Sequence, residues 1–153
     1  DELGFGSRLC RAEPESLGDW ACVKDARKYD SPLVFTHEGA ILLIGRRNLT
    51  EDGAYDLGMD HLSQQKQWLT YELEYWNAPK RCALWQIDPT SLAVTWLIDL
   101  PSAGDTCFPG LVENDDGSYT IYNYSSPVDK DLDISWRDGQ LGETRIYRMT
   151  LEL

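Results

Sequence analysis

The stretch GDTCFPGLVENDDGSYTIYNYSS, residues 104–126, decides the fold. It reads as a β-hairpin in which residues 107–113 form one strand, Asn114-Asp115-Asp116-Gly117 the turn, and residues 118–124 the return strand. Val, Ile, Tyr and Phe suit a pleated strand, and Asp-Gly supplies a turn position where Gly takes φ > 0 without steric cost. The same hairpin occurs earlier as YDSPLVFTHEGAILLIGRRN, residues 29–48, turning at Glu38-Gly39. Superposing Pro32 on Pro109 places Asp30 on Cys107, Val34 on Leu111, Ile44 on Tyr122 and Arg46 on Tyr124, with one extra turn residue in the later copy.

The repeat extends outward from the hairpins. Strands that start at an arginine recur at Arg8, Arg81 and Arg145, and the second is followed by a turn and a further strand over residues 93–100. Four antiparallel strands per unit, then a hop to the next unit, is the pattern of a propeller blade. The chain is therefore expected to be all-β, a β-propeller fragment of about two to two-and-a-half four-stranded antiparallel blades with a helix-containing insertion on one face. Residues 1–28 are the outer half of one blade. Residues 29–103 are a full blade with an insertion at 49–79, and residues 104–153 are three strands of the last blade. A two-sheet sandwich with similar hairpins is the alternative. Propellers close with ~4–8 blades. The chain is thus expected to be the carboxyl-terminal part of a longer protein, or to complete its ring with the remaining blades or with other copies.

Charge and cysteines bound the function. The net charge of −12 argues against a nucleic-acid partner, which needs a basic footprint. A small anionic ligand stays open, because nine of the fourteen basic residues are Arg. No run of ~18 apolar residues is present, so no membrane span is expected. Cys10, Cys22, Cys82 and Cys107 show no CxxC spacing, and His37 and His61 lack ligand-like neighbours, so neither a metal nor another cofactor is expected. Cys10 and Cys22 lie on facing outer strands and are read as buried thiols, with a disulfide as the alternative. Cys107 is read as a packed thiol rather than a nucleophile, since no His adjoins it. The compartment is left open.

Two long polar insertions interrupt the repeat, at residues 49–79 and 127–143. Loops of this length in a compact domain are usually functional or disordered. The first holds a predicted helix over residues 63–77, capped by Ser63, with Trp68, Leu69, Glu72, Leu73 and Trp76 at helical spacing. Asp52, Asp56 and Asp60 read as solvated turn residues. The second insertion is read as a loop with Trp136 as its large anchor.

In a blade, the starts of inner strands, the ends of second strands and the second-to-third loops share one rim. That rim collects Asp30, Arg46, Arg47 and Asn48 from one unit and Asp105, Thr106, Cys107, Tyr122, Asn123 and Tyr124 from the next. Both insertions, Arg81 and Arg145 fall on the same side. Elaboration confined to one face of a repeat marks a binding face. Each residue also has a plainer reading: Asp30 and Asp105 as turn caps, one of Arg46 and Arg47 as a salt bridge, and Tyr122 and Tyr124 as packing.

The x-Pro openings DSPLVF and CFPGLV, the insertion ending in YWNAPKRCALW, GDTCFPG, and YNYSSP…GQLGETRIYRMTL together resemble the carboxyl-terminal blades of sialidase-like six-bladed propellers of glycoside-hydrolase type. The segment 114–119 is a partial echo of the sialidase Asp-box, on the inner rather than the outer hairpin. The resemblance implies a carbohydrate at the central depression. It implies arginines for an anionic group, a tyrosine nucleophile and an aspartate acid/base. On that basis Asp30, Asp105 and Tyr124 are the candidate catalytic residues, and Arg46, Arg47, Tyr122, Asn123 and Arg81 the candidate substrate-binding ones. The alternative is a non-catalytic glycan- or protein-binding module, or a part-propeller that assembles with itself. The chain by itself is expected to be inactive.

Overall fold

The computed structural model describes residues 5–130 and 133–153. Asp1, Glu2, Leu3 and Gly4 of the first expected unit, and Asp131 and Leu132 of the second insertion, lie outside the described residues. Antiparallel strands dominate, and they form three sheets among the described residues. In the first, β1 (Ser7–Arg11) pairs with β2 (Ala21–Asp25). The central sheet runs in chain order through β3 (Leu33–His37), β4 (Ala40–Asn48), β5 (Lys80–Ile87) and β6 (Val94–Leu100). The third holds β7 (Gly110–Glu113), β8 (Tyr119–Ser125) and β9 (Arg145–Leu151). Two helices, α1 (Gln64–Asn77) and α2 (Trp136–Gln140), occupy the insertions.

The hairpin alignment made from sequence is visible in the strand register. Leu33 faces Ile44 across β3–β4, and Gly110 faces Tyr122 across β7–β8. On the next strand Leu43 faces Trp85, and Ile121 faces Met149. The β3–β4 turn is short because Glu38 and Gly39 both take positive φ, 47° and 83°, which matches the twist of the flanking strands. β7 starts later than expected. Cys107 has φ 79°, outside strand geometry, and Pro109 has no N–H to give the ladder.

At β4 and β5 the central sheet has apolar packing on both faces, which explains why β4 reads as an apolar run instead of alternating. One face sets Leu42, Ile44, Cys82, Leu84 and Leu100 against Cys107 and Ile121, flanked by Leu111, Met149 and Leu151. The other sets Leu43, Ala83, Trp85, Ile87 and Val94 around Tyr29, with Leu9 of β1 packed on it. Each fully buried aliphatic side chain here stabilises the fold by roughly 1.5–3 kcal/mol.

Two sequence expectations are corrected. Cys10 and Cys22 are not buried thiols: they face each other across β1–β2 as an exposed disulfide. Cys107 is buried as expected, but as half of a second disulfide to Cys82 that ties the central sheet to the third. The second correction concerns α1. Ser63 stands at its N-cap position without a side-chain capping bond. The helix buries Gln67, Tyr71 and Tyr75, while Trp68, Leu69, Leu73 and Trp76 are exposed. The tyrosines win because their rings pack with Phe5 and Tyr55 while their hydroxyls find polar partners: Tyr75 donates to Asp30, and Tyr71 accepts the Met59 N–H, which neither tryptophan nor leucine can do.

Candidate functional site

β3 and β4 bring Asp30 and Arg46 to one end of the central sheet, and β7 and β8 bring Asp105 and Tyr124 to the same place. Arg46 is almost wholly buried. Its Nε donates to the Thr106 carbonyl at 2.9 Å, Nη1 to Asp30 Oδ2 at 3.2 Å and Nη2 to the Tyr124 hydroxyl at 3.4 Å. Tyr124 donates in turn to Asp105 Oδ1 at 3.1 Å, and that oxygen lies 3.9 Å from Arg46 Nη2. The guanidinium therefore sits between two carboxylates and links the hairpins.

The insertions close the cluster. Tyr75 of α1 donates to Asp30 Oδ2 at 2.7 Å, and Trp136 of α2 donates to Asp105 Oδ1 at 2.7 Å. The Trp136 ring lies over the Arg46 guanidinium, 4.8 Å from its centroid, and edge-on to Tyr75. Gly104 and Gly139 let α2 approach this closely: a Cβ on Gly139 would collide with the backbone nitrogen of Asp105. Lys28 stands at the margin, 3.8 Å from both Asp30 and Glu72.

Burial works against the Arg46 charge, but Tyr75, Asp30 and Tyr124 outweigh it and hold the group firmly protonated. Burial, then Asp105, pushes the Tyr124 hydroxyl up, with Arg46 opposing. Burial and Asp30 push Tyr75 well above the ordinary phenol range. Beneath them Lys80 is fully enclosed; its Nζ donates to Asn48 Oδ1 and the Ala78 carbonyl, both at 2.8 Å, and to the Tyr75 carbonyl. Burial, then the Arg46 charge, brings Lys80 down to about 7.

Of the residues singled out from sequence, Asp30, Arg46, Asp105 and Tyr124 converge. Thr106 joins them through Arg46 and Asn48 through Lys80, while the other candidate binding residues do not. Arg47 points to the other side of β4, forks onto Asp99 at 2.7 Å and stacks on Trp96. Arg81 pairs with Asp133. Tyr122 is exposed on the outer side of β8, and Asn123 is buried, binding the Phe108 N–H and the Thr106 hydroxyl. Tyr75, Trp136, Lys28 and Lys80 are members that the sequence did not nominate. The aromatic density of the first insertion and the lone large anchor of the second were the available signals. Among the described residues no group of three His, Cys, Asp or Glu could hold a metal ion. Compared with known proteins, the chain matches no family model, no curated protein and no solved structure.

Proposed function

We propose that the chain is part of a sialidase-like propeller whose mouth holds a carbohydrate, with glycoside hydrolysis as its chemistry. The observation that carries this reading is the Tyr124 hydroxyl donating to Asp105 beside the buried Arg46. Repetition of one hairpin register in successive sheets, with both insertions gathered at one end, supports the propeller arrangement. The site chemistry suits a polyol: carboxylates and a phenol to bind hydroxyls, and an indole face beside them. Two carboxylates flank the single guanidinium of the cluster, so a neutral sugar fits better than an acidic one.

In the hydrolytic reading, Tyr124 Oη bonds to the anomeric carbon as the glycosidic C–O bond breaks, and its proton passes to Asp105. Asp30, protonated on Oδ1 in the reactive form of the site, gives that proton to the departing oxygen. Water then attacks the anomeric carbon and returns a proton to Asp30, while the phenolate leaves and regains its proton from Asp105. A second reading, binding without turnover, is favoured by the full engagement of Arg46 and by the raised Tyr124 hydroxyl.

The test is titration with neutral and sialylated oligosaccharides, followed through the Trp136 indole resonance, alongside release of nitrophenol from aryl glycosides by the longer protein proposed to contain this chain. Saccharide binding with turnover lost in Tyr124→Phe supports hydrolysis. Binding without turnover, unchanged in Tyr124→Phe, supports the binding module. If no saccharide shifts Trp136, both readings fail.

A further inference from the structure

The face of the central sheet turned toward β1 carries a cavity of about 520 Å³ lined by Leu9, Pro32, Val34, Ile41, Leu43 and Leu92. The repeat says what belongs there. Val34, Leu43 and Trp85 hold the positions that Leu111, Ile121 and Met149 hold in the third sheet. Leu111, Ile121 and Met149 share one core with Phe35, Leu42, Ile44 and Leu84, of which the first three lie on the hairpin β3–β4. By the same step, Val34 and Leu43 should meet a hairpin lying beside β1. Instead β1 pairs only with β2, and its other edge has no strand on it among the described residues. Trp85, in the core onto which Leu9 of β1 packs, is buried, whereas Val34 is 57% exposed.

We propose that this groove is a docking site for an antiparallel β-hairpin that pairs with β1 and presents alternating apolar side chains to Val34, Ile41 and Leu43. Such a hairpin would extend the β1–β2 pair to the four strands of the central sheet. A second copy of the chain is a poor occupant, because both of its hairpins are already built into sheets of their own. The inference rests on the repeat and not on the carbohydrate reading, and its test uses no sugar.

The probe is a cyclised peptide of residues 31–48, the chain's own hairpin with the required apolar face, first shown by cross-strand NOEs to be folded. It is titrated into the intact chain while methyl resonances and β1 amide exchange are followed. Shifts confined to Leu9, Val34, Ile41 and Leu43, with slowed exchange along β1, are expected. Val34→Asp, at an exposed position that folding tolerates, should weaken binding ~10-fold or more by burying an unpaired charge. Val112→Asp on the far side of the third sheet should leave it unchanged. No binding by the folded hairpin, or shifts elsewhere, overturns the proposal. Shifts at the groove that appear when the protein alone is concentrated overturn it in favour of a second copy.

Discussion

The β3–β4 and β7–β8 hairpins share a register and differ in what lies against them. Ile44 and Tyr122 occupy the same position, yet Ile44 is wholly buried and Tyr122 is 46% exposed. Ile44 points into the core shared with the third sheet, whereas the side of the third sheet that carries Tyr122 has no sheet against it among the described residues. Register fixes the direction in which a side chain points, and the neighbouring sheet fixes whether that direction is dry. A local pattern therefore reveals the repeat and says little about burial at any one copy.

The largest effect expected from this contrast is at the shared position itself. Ile44→Asp should cost ~4 kcal/mol or more, because it places a lone carboxylate in a closed core. Tyr122→Asp should stay within about 1 kcal/mol, as exposed substitutions do. Urea midpoints of the two variants measure the difference. An equal loss at Tyr122 would break the comparison by showing that the outer side of the third sheet is covered.

Next come the disulfides, which differ in the same way. Cys82–Cys107 is buried, spans 25 residues and joins the two hairpin sheets, whereas Cys10–Cys22 is exposed and spans 12. Loop-closure entropy gives about 3.5 kcal/mol for the first and about 3 kcal/mol for the second. The buried pair adds packing on top of this. Guanidinium unfolding of the two Cys→Ala double variants should therefore place the Cys82/Cys107 variant as the less stable, and the reverse order would show that the sheets do not depend on that link.

The adjacent arginines sharpen the point within one strand. Arg46→Ala removes a buried guanidinium from between Asp30, Thr106 and Tyr124, and should cost about 3 kcal/mol. Arg47→Ala breaks a partly exposed fork to Asp99 and should cost about 1 kcal/mol. Equal losses in thermal unfolding would mean that the rim cluster contributes no more than a surface pair.

What could be read in advance follows from these differences. The hairpins, their alignment and the convergence of Asp30, Arg46, Asp105 and Tyr124 were legible, because strand period and turn chemistry are local and the repeat carries one copy onto the next. The buried face of α1 was not. Trp68, Leu69, Leu73 and Trp76 make the stronger apolar pattern, and only the polar partners waiting at Asp30 and Met59 select Tyr71 and Tyr75. Blade topology groups Arg47, at a second-strand end, and Arg81, at a third-strand start, with the rim, but alternation along β4 and the acidic partner Asp133 carry them elsewhere. The Cys82–Cys107 pairing depended on how two sheets stack, which no spacing encodes.

The smallest effect tests how the first hairpin's end differs from the second's. Lys80, one place before Arg81, is enclosed beneath α1; the matching place before Arg145 is Thr144. Lys80 is brought from an ordinary 10.5 to about 7 by burial and by Arg46. A base whose folded pKa is lowered loses its proton first in the folded state, so the unfolded chain binds more protons between the two values. Stability should then rise as pH increases from about 7 toward 10.5, by about 1 kcal/mol between pH 6 and pH 8. The opposing influence is the three acceptors around Nζ and the Tyr75 ring 4.0 Å away, which favour the ammonium form. Urea unfolding at the two pH values, repeated in Lys80→Met, isolates this residue. A rise that vanishes in the variant shows that burial prevails, and a flat profile in both shows that the acceptors keep the charge in place.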